Sequence, residues 1–161
     1  MPFDSDTFDT VIANHMLYHV PDRARALGEM QRVLKPGCQI YLAANGLSHL
    51  RELYELEQRF DPTIDFGWSH TAPDFFSLDH GGVEVARFFQ DVQIARYEDA
   101  LNVTQFAPLV DYILSMATSA PLRERRAELQ RFIEAELARH GAIYITKESG
   151  MFIGRKAPAR L

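Results

Sequence analysis

Residues 8–37 read FDTVIANHMLYHVPDRARALGEMQRVLKPG, and the order of patterns inside this stretch decides the fold. Phe8-Asp9 opens a short apolar run that stops at the polar Asn14, the signature of a strand buried on both faces rather than one alternating between core and solvent. Pro21-Asp22 then offers a helix start. Leu27, Met30, Val33 and Leu34 recur at helical spacing until Lys35-Pro36-Gly37, which reads as a stop. Immediately afterwards QIYLAAN (39–45) repeats the strand pattern and again ends in Asn. Strand, helix, strand in this rhythm implies a right-handed parallel crossover with helices on the sheet faces.

Working outward, Ser48 is placed to cap a helix carrying Leu50, Leu53, Tyr54 and Leu56, which Asp61-Pro62 ends. From Asp61 to Asp79 the sequence is rich in aromatics and turn formers without a clear period, as in a long loop or lid. A helix is expected over about 82–89, then a strand at VQIARY (92–97), which ALNVT (100–104) extends or partners. FAPLVDYILSM (106–116) and LRERRAELQRFIEAELARHG (122–141) carry helical apolar stripes, and Gly141 suits a helix stop. AIYITK (142–147) and MFIGRK (151–156) read as two extended segments joined by a turn at Glu148-Ser149-Gly150. The run RERRAE is most simply a solvated helix face.

Composition narrows the function classes. The chain has 161 residues, 47% of them hydrophobic, which fits one globular domain with a sizeable core. Seventeen Lys and Arg against 22 Asp and Glu leave a net charge of −5, so nothing favours binding to a nucleic-acid backbone. Cys38 is the single cysteine, which excludes a disulfide framework and a cysteine zinc site and fits a reducing compartment. The N-terminus lacks a basic region followed by an apolar run, and no segment has the roughly 18 consecutive apolar residues that span a bilayer. A soluble, cytoplasmic protein without a membrane partner is therefore expected.

The stretch PFDSDTFDTVIANHMLYHVPDRARALGEMQRVLKPGCQIYLAANG (2–46) resembles the central region of class I S-adenosylmethionine-dependent methyltransferases. Phe8-Asp9 stands where that family opens its fourth strand, Leu17-Tyr18-His19 matches the stretch after it, and Arg32-Val33-Leu34-Lys35-Pro36-Gly37 matches the approach to the fifth. Cys38 replaces a usual second glycine. FSLDHGG (76–82), RYEDALNVT (96–104) and ESGMFIGRK (148–156) are similar, more loosely, to the C-terminal half of small-molecule members. The resemblance implies an α/β, partial Rossmann-like methyltransferase fold from the fourth strand onward, with a helical lid, as a single unit over residues 1–161. The family's first strands, glycine-rich loop and acidic ribose-binding residue have no counterpart in this sequence. The chain is accordingly expected to be a C-terminal portion whose hold on S-adenosylmethionine, taken alone, is weak or absent.

What the resemblance implies for the site is specific. The loop after the fourth strand lines the cofactor pocket, which assigns Ala13, Asn14, His15 and Met16 to the methionine part or the sulfonium. Independently, ligands of open α/β sheets sit beyond the carboxyl ends of the strands, where Asn14 and Asn45 fall. His15 is the best-placed general base should the acceptor lose a proton, ahead of His70 and His80. Phe66, Trp68, Phe75 and Phe76 either wall an acceptor pocket or cover the core, and Tyr54 and Tyr112 share that ambiguity. His15 and His19 are four apart, but HMLYH has no glutamate between them and no third ligand, so no metal is expected.

Two function classes follow: a methyltransferase, as a fragment or half-enzyme, acting on a small-molecule acceptor, or a non-catalytic methyltransferase-like dimerisation or interaction module. No nucleophile motif such as G-x-S-x-G supports an acyl transferase. With the family's first strands absent, the edge of FDTVIAN is bare. It is expected to pair with the same strand of a second chain in a homodimer, or with a separate N-terminal half.

Overall fold

Asp22 fixes the first helix. Its carboxylate accepts the Arg25 main-chain N–H at 2.9 Å, as a capping residue should, and α1 runs from Arg23 to Val33 behind it. In the computed structural model, which describes residues 1–63, 75–116 and 120–159, α1 lies between β1 (Phe8–Asn14) and β2 (Leu34–Asn45). These two strands pair in parallel, with Val11 opposite Ile40 and Ala13 opposite Leu42, as the crossover pattern requires. The expected α/β fold is therefore the one observed.

The remaining elements are α2 (Arg51–Phe60), α3 (Gly81–Ala86), β3 (Gln90–Val103), α4 (Phe106–Ser115), α5 (Ala120–Arg123), α6 (Arg126–His140) and β4 (Ile143–Arg155). A single 3-10 turn spans Leu17–His19. Among the described residues the strands form one sheet of order β1-β2-β4-β3, with β4 antiparallel to β2. β1 is thus an edge strand.

By contacts the chain divides into two compact units. The first comprises Met1–His49, His70–Glu98 and Glu148–Leu161. Its core joins Leu27 and Met30 of α1, Ala13 of β1, Ile40, Leu42 and Ala44 of β2, Val85 of α3 and Phe152 of β4, with Phe76, Leu78 and Phe89. Alternation on β2 puts residues 40, 42 and 44 into this core and leaves Gln39, Tyr41 and Ala43 on the other face, half-buried. Lys156 ties the ends of the unit, its ammonium donating to Asp6 Oδ1 at 2.7 Å and to the Leu34 carbonyl at 2.7 Å.

The second unit comprises Leu50–Ser69 and Asp99–Lys147. Leu53 and Leu56 of α2, Leu109, Val110 and Ile113 of α4, and Leu129 and Ile133 of α6 form its core with Leu122 and Ile145. Two acidic side chains are buried in it, Glu57 and Glu136, and Glu136 pairs with Arg59 and, at 3.1 Å, with Arg139.

Several sequence expectations need correction. β1 is not buried on both faces: Val11 and Ala13 turn toward the core, but Thr10, Ile12 and Asn14, which alternate with them, are exposed, Ile12 at 62%, because nothing among the described residues covers that face. α1 does end just before Lys35-Pro36-Gly37, but these residues already lie within β2, where Gly37 takes φ +76° and the pairing slips between Phe8 and Thr10. The slip lets the chain leave α1 and join the sheet with no intervening loop. Ser48 does not cap α2; the N-cap is Leu50 at φ 58°, and Ser48 instead donates its N–H to Glu148 at 3.2 Å. The stretch read as one long C-terminal helix is broken into α5 and α6, and ALNVT continues β3. Glu148-Ser149-Gly150 is no turn either, since all three lie within the single strand β4, with Ser149 opposite Asn45 and Gly150 opposite Ala44. Residues 64–74, with Phe66, Trp68 and His70, lie outside the described residues.

Candidate functional site

β1 ends at Asn14, and the next residue turns the chain sharply. His15 takes φ 49°, a left-handed conformation that costs a residue with a side chain roughly 1 kcal/mol, while its N–H still donates to the Ala43 carbonyl at 3.1 Å. The hydrogen bond holds the strained residue against the carboxyl end of the sheet. Asn14 and His15 are both exposed, Met16 is half-buried, and Leu17 drops into the core. Ala13 is 7% exposed with its methyl in the core, so a ligand here meets its main chain rather than its side chain.

Met16 also lines a groove of about 510 Å3, together with Val20, Ala26 and Met30, rimmed by Arg25 and Glu29. Tyr18, two residues on, stacks its ring on Phe75 at 5.6 Å between centroids. Burial pushes the Tyr18 phenol above its ordinary value. Phe76, the next aromatic, is 1% exposed and tilts against Phe152, so of this pair only Phe75 offers a partly exposed ring. Tyr54 and Tyr112 are exposed on α2 and α4, in the second unit. His80 is the N-cap of α3. His15 and His19 stand on either side of Met16–Tyr18, and among the described residues no three His, Cys, Asp or Glu side chains gather as a metal site would require.

Beside this loop, the end of β2 is held by charges that sequence reading missed. Asp79 accepts the Leu47 N–H at 2.9 Å and Glu148 accepts the Ser48 N–H at 3.2 Å. One guanidinium, Arg96, donates to both carboxylates, to Asp79 at 2.8 Å and to Glu148. Burial would raise the Asp79 carboxyl, but the Leu47 N–H and the Arg96 charge outweigh it and hold the group below its usual value. Glu148 also donates its main-chain N–H to His49 Nδ1 at 3.2 Å, and the Asn45 carbonyl accepts from Leu78 at 3.0 Å. Residues 45–49 are therefore pinned from three sides. No local signal announces this network, because its members come from separate parts of the chain.

The arrangement places a polar, exposed, strained loop at the carboxyl end of one parallel strand and a charge-pinned loop at the carboxyl end of its neighbour, which is where open α/β sheets hold ligands. Comparison with known proteins agrees. Residues 1–42 match the family model described as a methyltransferase domain. The chain is 52% identical over 40 residues to the demethylmenaquinone methyltransferase of Bacillus subtilis (strain 168), a match covering 25% of this chain and 17% of the relative. It is 27% identical over 111 residues to the enzyme of the same name from Bacillus cytotoxicus, covering 61% and 46%. These matches thus span less than half of the relatives' own lengths. In fold, the chain is similar to a candidate methyltransferase from Bacillus halodurans C-125, with a TM-score of 0.57 at 18% identity over 98% of this chain and 73% of that one. The YcgJ protein of Bacillus subtilis gives a TM-score of 0.55 at 15% identity, covering 99% and 68%. Among the described residues no helix is long and apolar enough to cross a membrane.

Proposed function

We propose, from the motif resemblance, the match of residues 1–42 to a methyltransferase-domain model and the fold, that this chain is part of a class I S-adenosylmethionine-dependent methyltransferase and carries the methionine-facing and acceptor-facing part of a methyl-transfer site for a small molecule. The observation that carries the reading is the position of Asn14 and His15, exposed at the carboxyl end of β1, with His15 held in a left-handed turn by Ala43. A backbone kept in so sparsely populated a conformation is a common mark of a functional loop.

The residues present suit one end of the cofactor. The Asn14 carboxamide, the main chain of Ala13 and His15, and the partly exposed Met16 thioether would border its methionine part and sulfonium. S-adenosylmethionine, when bound, supplies an activated methyl group on sulfur. Rate then depends on holding the acceptor atom in line and keeping water out, tasks of positioning rather than of covalent chemistry by the protein. Where the acceptor atom carries a proton, His15 takes it as the new bond forms, since its imidazole is exposed at the strand end and an imidazole nitrogen can accept a proton. The glycine-rich loop that would grip the adenosyl part has no counterpart in the sequence, so this chain by itself binds the cofactor weakly.

The acceptor belongs to the class of small ring compounds of quinone type. Relatives named as demethylmenaquinone methyltransferases support this, as does the Tyr18–Phe75 ring pair beside the loop, which offers a partly exposed aromatic surface. The test is calorimetric titration of the chain with S-adenosylhomocysteine. Saturable heat with Kd between roughly 10 µM and 1 mM is expected, weakened about tenfold by Asn14→Ala. A folded chain that gives no heat at millimolar ligand would sink the reading.

A further inference from the structure

We propose that Arg96 is a positioning residue of the methyl-transfer site: through Asp79 and Glu148 it holds the main chain of residues 45–49 where a ligand at the carboxyl end of β1 meets it. The inference rests on the methyl-transfer reading and adds to it a second strand end and the side chain that fixes it. Register brings the two ends together. Asn14 pairs with Ala43 across the parallel strands, and His15 still donates to the Ala43 carbonyl. Beyond that pair the two chains leave the sheet side by side, the first as the His15–Met16 turn and the second as residues 45–49. A ligand seated against Asn14 and His15 therefore borders both.

In the second loop every N–H from Gly46 to His49 has an acceptor. Gly46 donates to the Glu148 carbonyl at 3.1 Å, Leu47 to Asp79 Oδ2 at 2.9 Å, Ser48 to Glu148 Oε2 at 3.2 Å and His49 to the Gly46 carbonyl at 3.2 Å. Two of these acceptors are carboxylates, and Arg96 donates to both. The acids also lie close in. A Cβ on Gly46 would run into the Glu148 carboxylate, and Asp79 follows directly on Leu78, whose N–H donates to the Asn45 carbonyl at 3.0 Å. Ser77 Oγ accepts the Asp79 N–H at 3.2 Å and so fixes the acid from behind. Half-exposed ion pairs of this kind add little stability. What they add is a main chain with one geometry, which lowers the ordering cost when a ligand binds and keeps reacting atoms in line.

Titration of the nitrogen-15-labelled 161-residue chain with S-adenosylhomocysteine, followed by NMR, tests this. The amide signals of Leu47 and Ser48 are expected to move together with those of Asn14 and His15. Arg96→Met, measured at a temperature where it is folded, is expected to raise Kd about fivefold, and Arg96→Lys by less. Asp61→Asn, whose lost pairing with Arg125 lies in the second unit, is expected to keep the wild-type Kd. A wild-type Kd for Arg96→Met, an equal loss for Asp61→Asn, or Leu47 and Ser48 signals that stay still while Asn14 and His15 move would each overturn the proposal and leave the methyl-transfer reading standing. No movement of any signal at millimolar ligand would overturn that reading, and this one with it.

Discussion

Arg96 and Asp79, 17 positions apart in the sequence, meet at 2.8 Å, and through that contact a guanidinium on β3 governs the main chain at the end of β2. Asp79 and Glu148 accept the N–H groups of Leu47 and Ser48, and the Arg96 guanidinium donates to both carboxylates. Arg96→Met leaves two carboxylates facing each other. The expected cost is about 1–2 kcal/mol, kept modest because the Arg96 and Asp79 side chains are 35% and 30% exposed. Tm is expected to fall by roughly 3–6 °C. Arg96→Lys should recover only part of this, since an ammonium lacks the planar fork that reaches both acids. Thermal melts of the three proteins decide it; equal Tm values would show that the network does not hold the loop.

His15 supplies a second prediction, one in which stability and binding move in opposite directions. Its φ of 49° is costly for any residue with a Cβ and free for glycine. His15→Gly is expected to raise stability by up to about 1 kcal/mol, and His15→Ala to leave it near the wild-type value. Both should weaken S-adenosylhomocysteine binding. Urea melts beside calorimetry separate the two effects, and a destabilised His15→Gly would mean that the turn is not strained.

A third prediction concerns acid. The Thr63 hydroxyl, then the Arg125 guanidinium, bring the Asp61 carboxyl down to about 2. A carboxyl with a lowered folded pKa adds stability above its ordinary value of 3.8, and that contribution is lost as the pH falls through about 2. Asp61→Asn is therefore expected to melt below wild type at pH 7, with the gap closing between about pH 4 and pH 2. A gap that stays constant across that range would place the effect elsewhere.

The first part of the chain was legible because each signal in it is local. A polar residue ends β1, Asp22 caps α1 and an apolar run makes β2, so the parallel pair could be read from consecutive residues. Where reading failed, a distant contact overrode the local signal. Gly150 reads as a turn, yet it sits in β4 because a Cβ there would come within 2.5 Å of the Ala95 carbonyl, and only glycine lets β3 pass that closely. Ser48 looks like a helix cap, yet its N–H is claimed by Glu148, 100 positions later. The exposure of β1 was misread because an apolar run states what a strand can bury, not whether a neighbour exists to bury it against. For the site, Asn14 and Asn45 could be placed from strand ends, whereas Arg96 and Glu148, 52 positions apart, carry no shared motif.

β2 takes its parallel partner from upstream and its antiparallel partner from the far end of the chain. On a ribosome, α1, β1 and β2 therefore emerge early but wait for residues 149–155 before the middle strand gains its second neighbour, and for Lys156 before Asp6 is tied down. Pairing between residues this far apart in sequence, Gln39 with Arg155 and Asn45 with Ser149, favours slow folding. A nascent chain halted before β4 would present β2 bare along one side.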